Sequence, residues 1–166
     1  LMNKDLIERA KKIKLILMDC DGVLTDGRLY FGETGEIIKA FHVRDGQGIV
    51  SWHKAGFVSG IISGRNSKIV EKRGNELGIR FIRQSSSDKL DDFFEILTES
   101  GLSAEETAYI GDDVPDIELL KKVGLSFTVA DAASEVLPSV DFILKKSGGN
   151  GAVREMIDLL IEAKSL

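Results

Sequence analysis

Short apolar runs alternate along this chain with segments whose apolar residues recur at helical spacing. The runs at 13–19, 57–62, 79–82, 107–110, 125–129 and 142–144 are rich in Ile, Leu, Val and Phe and predict strands. Between them the pattern predicts helices at 46–55, 67–77, 89–100, 115–122 and 133–137, with a leading helix at 4–12 and a last one at 152–163. Such alternation predicts an α/β fold: a parallel sheet with right-handed crossovers and helices on both faces, a three-layer αβα arrangement. Several strands are apolar throughout, as strands covered on both faces should be. No repeat, low-complexity tract or linker interrupts the sequence, so 1–166 reads as a single domain.

One segment breaks the rhythm. From Gly27 to Val43 two β-favouring runs flank a glycine-bearing turn, which predicts a hairpin protruding from the layers. Leu29, Phe31, Ile37 and Phe41 within it would be poorly covered on a lone subunit, and an isolated hairpin is marginal in water. Its cover is therefore expected from another subunit, with folding back onto its own domain as the alternative.

Composition narrows the setting. A net charge of −5 disfavours bulk nucleic-acid binding but leaves room for an anionic small molecule held by a cation and a few placed basic residues. No apolar run approaches the roughly 20 residues that span a bilayer, and residues 1–5 lack the apolar region of a signal peptide. The lone Cys20 excludes an internal disulfide, so the expected location is a reducing cytoplasm with no membrane partner.

The chemistry gathers at strand ends. The first strand closes on Asp19-Cys20-Asp21-Gly22, two carboxylates that would repel each other unless a cation lies between them. A hard divalent ion with oxygen ligands, Mg²⁺ above others, answers that requirement. Later strands deliver Ser63-Gly64-Arg65, then Gln84 to Lys89, then Gly111-Asp112-Asp113-Val114-Pro115-Asp116. Open α/β sheets place their ligand crevice at these carboxyl ends. Acids, a hydroxyl and an ammonium together suit phosphoryl transfer, where charge on phosphoryl oxygens must be stabilised. Each fragment alone has a plainer reading: Ser63-Gly64 as a turn, Lys89 as a solvated helix residue, Asp113 and Asp116 as acids at a helix start beside Pro115. Cys20, Trp52, His42 and His53 are read as non-catalytic, with Cys20 pointing into the core and Trp52 packing.

These four stretches, in this order, resemble the haloacid dehalogenase superfamily of aspartyl-phosphate phosphatases, Rossmann-like enzymes. The resemblance implies Asp19 as nucleophile and Asp21 as general acid and then base. It implies Mg²⁺ held by Asp19, the Asp21 backbone carbonyl and Asp112. Ser63 and Gly64 would meet the phosphoryl group, Lys89 would offset negative charge, and Asp113 and Asp116 would orient water ligands or Lys89. Neither the interval after Asp21 nor the one between Ser63 and Lys89 can hold a cap domain, which points to a partner subunit covering the mouth.

Further motifs, Asp19 to Gly27, Phe41 to Gly46, Ser63-Gly64-Arg65 and Gly148 to Glu155, look like the 3-deoxy-D-manno-octulosonate 8-phosphate (KDO 8-phosphate) phosphatases. Those are capless homotetramers serving lipopolysaccharide synthesis. The resemblance implies that Arg65 meets substrate, as guanidinium geometry favours, and that Arg44 lies near the site. Asn150 replaces a commonly basic residue and Ser85 a common glycine. The Gly148–Gly151 segment reads as a connector or as a substrate contact. Another sugar-acid phosphate, such as a nonulosonate 9-phosphate, is the alternative substrate. A phosphoacceptor receiver domain is the alternative class, although receivers place their acid pair adjacent.

Overall fold

In the computed structural model, which describes residues 3–166, six parallel strands form the central sheet. In chain order they are β1 (Leu15–Met18), β4 (Val58–Ile62), β5 (Phe81–Arg83), β6 (Thr107–Ile110), β7 (Leu125–Thr128) and β8 (Phe142–Ile143), arranged β5-β4-β1-β6-β7-β8. Strand β1 sits between β4 and β6, with Met18 beside both Ile61 and Ile110. Its four residues are fully buried and divide by alternation between two cores. Ile16 and Met18 face the cluster built with α1 (Lys4–Lys12), α2 (Val43–Lys54) and α6 (Ala152–Lys164). Leu15 and Leu17 face the one built with α4 (Lys89–Ser100) and α5 (Ile117–Leu120). Each such side chain contributes about 1.5–3 kcal/mol on leaving water, which is why a strand of uniform apolarity belongs at the centre.

The helices start where the sequence offers caps. Asn3 Oδ1 accepts the Leu6 N–H at the start of α1, and Asp88 Oδ1 accepts the Leu90 N–H at the start of α4. His42 Nδ1 does the same for the Arg44 N–H, so α2 begins three residues earlier than its apolar period predicts. Helix α4 ends on Gly101, whose φ of +70° provides a left-handed stop.

Two predicted helices are corrected. The 133–137 segment is a turn leading into a 3₁₀ turn, Leu137–Ser139, because Pro138 disfavours helical backbone at the residue before it and removes a donor. The 115–122 segment divides into a 3₁₀ turn, Val114–Asp116, and the single turn of α5.

The hairpin is present as β2 (Tyr30–Gly32) and β3 (Gly35–Ile38), an antiparallel pair separate from the main sheet. It folds back on its own domain only in part. Phe41 packs on the core of its own chain, while Phe31, Ile37 and Ile38 are each more than half exposed. No cap domain is present among the described residues. Only the hairpin separates β1 from α2, and only α3 (Lys68–Glu76) and β5 separate Ser63 from Lys89.

Candidate active site

The carboxyl ends of β1, β4 and β6 and the first residue of α4 open onto one cavity of about 250 Å³. Asp19, Asp21, Ser63, Gly64, Arg65, Lys89, Asp112, Asp113 and Asp116 all line it. Nine of the ten residues singled out from the sequence are thus brought together, across more than ninety positions of chain. The parallel sheet does this by stacking strand ends from distant segments side by side.

Lys89 is the electrostatic centre. Its Nζ lies 2.9 Å from Asp19 Oδ1 and 2.7 Å from Asp116 Oδ1, with the whole side chain buried. Burial works against the charged ammonium, but the carboxylates of Asp19 and Asp116 outweigh it and hold the Lys89 pKa above its ordinary value. Asp19 experiences the opposite balance. Burial raises its pKa, Lys89 lowers it and Asp116 raises it again, with a net upward shift.

Asp116 is fully buried and fully engaged. Oδ1 takes Lys89 and the Tyr109 hydroxyl (2.5 Å), while Oδ2 accepts the backbone N–H groups of Asp112 (2.9 Å) and Asp113 (3.1 Å). Although Asp116 lies within 4.8 Å of the carboxylates of Asp19 and Asp112, it has no free lone pair of good geometry for a metal. It is the residue that orients Lys89. Asp113, expected to orient water ligands or Lys89, lines the cavity, is exposed and caps the 3₁₀ turn through Val114 N–H (2.8 Å).

Tyr109 was not foreseen. Its only sequence signal is a hydroxyl in an otherwise apolar strand, where burial demands a polar partner.

The remaining acids fit a hard cation. Asp19 and Asp112 offer carboxylate oxygens to one point, and Asp112 Oδ1 is buried without a hydrogen-bond partner. Burial first, and the charge of Asp19 second, push the Asp112 pKa up to about 8. An oxygen-only donor set with uncompensated negative charge suits Mg²⁺ rather than a thiophilic metal. The chain must pass close by, since a Cβ at Gly22 would lie 2.0 Å from Asp112 Oδ2. The carboxylate of Asp21 is not among the acids that converge there.

That carboxylate is held by the hairpin instead. Lys39, just beyond β3 and with a side chain only 1% exposed, reaches Asp21 Oδ1 at 2.5 Å and Glu36 Oε1 at 2.8 Å. Burial opposes the Lys39 charge, yet the bonds to Asp21 and Glu36 raise its pKa. Glu36 also accepts the hydroxyl of Ser67, the N-cap of α3, at 2.5 Å. Arg65 Nε stands 3.7 Å from Asp21 Oδ2, under the ring of Phe31 at 5.4 Å. Neither Lys39 nor Glu36 was anticipated, because a hairpin lysine carries no local mark of the residue it will meet.

Arg44 is the one expected site residue that the fold takes elsewhere. It is exposed at the start of α2 and lines a separate 320 Å³ cavity with Lys146, Asn150 and Arg154. The reason is the early start of α2, whose first turn faces α6: Asp45 accepts the Arg154 N–H at 2.8 Å and the Gly151 N–H at 3.3 Å.

Gly148–Gly151 is neither a loose connector nor a lining of this cavity. A Cβ at Gly148 would lie 1.8 Å from Gly22 O, and Gly149 N–H donates to Val23 O at 2.9 Å. Asn150 Nδ2 closes the turn on Gly148 O at 2.9 Å. Ser85 adopts φ +55°, a left-handed backbone that accounts for a glycine preference there. Cys20 is fully buried, with burial and then Asp21 and Asp19 raising its thiol pKa, and is no nucleophile.

Comparison with known proteins gives matches over nearly the whole chain. The haloacid dehalogenase-like hydrolase family model matches residues 62–157. The 3-deoxy-D-manno-octulosonate 8-phosphate phosphatase of Escherichia coli K12 is 44% identical over 163 residues, 98% of this chain and 87% of that protein. Its counterpart from Moraxella catarrhalis, solved with magnesium ion, phosphate ion and KDO, superposes with a TM-score of 0.95 at 37% identity, covering 99% of this chain and 94% of that one. The cobalt-bound Haemophilus influenzae phosphatase gives a TM-score of 0.93 at 42% identity, over 95% and 92% of the two chains.

Proposed function

The chain belongs to the haloacid dehalogenase-like hydrolases, among the 3-deoxy-D-manno-octulosonate 8-phosphate phosphatases, and we propose that it releases phosphate from that sugar-acid ester through an aspartyl-phosphate on Asp19. One observation carries the reading: Asp19, Asp21, Ser63, Lys89 and Asp112 line a single cavity in which Asp19 is paired with a buried cation.

In the first half-reaction an Asp19 carboxylate oxygen attacks phosphorus. The bond from phosphorus to the sugar C8 oxygen breaks, and the departing oxygen takes a proton from Asp21. Lys89 and Ser63 stabilise the charge on the phosphoryl oxygens. In the second half, Asp21 accepts a proton from water as its oxygen attacks phosphorus, and the phosphorus–Asp19 bond breaks to return the carboxylate. Asp19, the Asp21 backbone carbonyl and Asp112 would hold Mg²⁺, which supplies charge neutralisation between nucleophile and phosphate when bound. Arg65, exposed on the rim and planar, suits the substrate carboxylate.

The assembly is a homotetramer in this reading, with the bare faces of Ile37 and Ile38 on the hairpin covered by neighbours and the mouth closed by them. The residues 1–166 act as one domain in the cytoplasm. No helix among the described residues is long and apolar enough to cross a membrane.

The test is Mg²⁺-dependent phosphate release from KDO 8-phosphate, from a nonulosonate 9-phosphate and from a generic ester. The expected result is a preference for the first and no turnover by Asp19→Asn. Retained turnover in that variant eliminates the nucleophile assignment, and a stable phosphoprotein without turnover would instead indicate a receiver.

A further inference from the structure

We propose that Lys39 is a positioning residue through which the hairpin aims the Asp21 carboxylate. The proposal rests on Asp21 acting as the acid that protonates the leaving oxygen.

The geometry is specific. A lysine normally keeps its ammonium in water, whereas the side chain of Lys39 is 1% exposed and its Nζ is shared between Asp21 and Glu36 at 2.5 and 2.8 Å. A hydrogen bond to Asp21 on one side and an ion pair with Glu36 on the other set its orientation from both sides. Asp21 needs such a restraint. The carboxylates of Asp19 and Asp112 line the same cavity, and Arg65 stands 3.7 Å away as a competing, exposed partner. Without Lys39, Asp21 would be drawn to that exposed guanidinium. A proton donor displaced by about an ångström can lose about 10²-fold in rate.

The second anchor makes this a property of the hairpin rather than of one pair. Glu36 lies on β3 and is tied to Ser67, whose main-chain N–H is in turn bonded by Gln84 Oε1 at 2.8 Å. Ser67 caps α3, the helix that follows Arg65. The seat of the hairpin, the start of α3 and the direction of Asp21 therefore form one connected unit.

A purely structural lysine and a positioning lysine differ in what they do to leaving groups. Withdrawing the proton donor penalises poor leaving groups most, because good ones depart unprotonated. The experiment measures kcat/KM, which reports phosphoryl transfer to Asp19, across phenyl phosphates from 4-nitro to unsubstituted, for wild type, Lys39→Met, Lys39→Arg and Asp21→Asn, each with saturating Mg²⁺. Because it compares substrates within one variant, the slope against leaving-group pKa is unaffected by the fraction of protein that folds.

Lys39→Met is expected to steepen the slope as Asp21→Asn does, losing about 10²-fold on phenyl phosphate and little on the 4-nitro ester. Lys39→Arg should restore most of the wild-type slope. A uniform loss across the series, or a wild-type slope in Lys39→Met beside a steep one in Asp21→Asn, overturns the role of Lys39. A wild-type slope in Asp21→Asn overturns the assignment of Asp21 itself, and the role of Lys39 with it.

Discussion

Gly22 and Asp112 compete for the same space: a Cβ on Gly22 would lie 2.0 Å from Asp112 Oδ2 and 2.6 Å from its Cγ. The backbone of Gly22 also has φ +91°, which an L-residue adopts only with strain. This glycine therefore lets the β1 turn and the β6 acid come close enough to offer oxygens to one ion.

Gly22→Ala should accordingly displace Asp112 more than it unfolds the protein. The left-handed backbone costs about 1–2 kcal/mol, and the collision is relieved by moving a carboxylate rather than a core residue. Mg²⁺ titration by calorimetry is expected to show at least a tenfold weaker Kd, or about 1.4 kcal/mol, with a melting temperature lowered by only a few degrees. Unchanged affinity would contradict the placement of Asp112.

The protein without metal should lose stability as pH rises. Asp112 has a folded-state pKa of about 8 against an ordinary 3.8, and Asp19 is shifted the same way by burial. Between those values the folded state binds more protons than the unfolded one, so unfolding becomes easier as pH climbs toward 8. Mg²⁺ favours the ionised carboxylates and should reverse the trend, with proton release on binding below pH 8. Thermal melts across pH 5–9 with EDTA or with Mg²⁺ test this, and Asp112→Asn should flatten the metal-free curve.

Asp116 and Tyr109 should separate stability from catalysis. Asp116→Ala leaves the buried Lys89 without one of its two carboxylates and two amides without an acceptor, and breaking such a pair costs about 3–5 kcal/mol. Urea denaturation should show that loss together with a fall in kcat, because Lys89 loses the second carboxylate that fixes its direction beside Asp19. Tyr109→Phe removes one hydroxyl bonded to the Asp116 carboxylate and should cost about 1.5–3 kcal/mol while kcat stays within a factor of a few.

Charge on the hairpin should dissolve the proposed assembly. Ile37 and Ile38 are 57% and 55% exposed in the subunit, a pair that association would cover. Light scattering of Ile37→Asp with Ile38→Asp is expected to give monomers or dimers, with reduced activity on KDO 8-phosphate. Fully active monomers would remove the partner from the site.

What could be read directly from the residues was the part encoded at strand ends. Asp19, Ser63, Lys89 and Asp112 each stand within a residue or two of an apolar run or a helix start, and a parallel sheet leaves such positions only one place to go. Contacts made by segments outside the sheet were not legible. Lys39 meets Asp21 only because the hairpin folds back across eighteen residues, and nothing local distinguishes it from a solvated lysine. Arg44 shows the converse, since proximity in a motif did not survive the early turn of α2. Helix period failed where it competed with Pro138, and Tyr109 was absorbed into an apolar run whose polar end mattered.

The order β5-β4-β1-β6-β7-β8 has one more effect. The acids that would grip the ion arrive on neighbouring inner strands, so no fraying of β5 or β8 disturbs them, while opening the β1–β6 seam destroys the grip. Loading the ion should therefore slow amide exchange along that seam and leave the outer strands exchanging as before, concentrating rigidity where the phosphoryl group is handled.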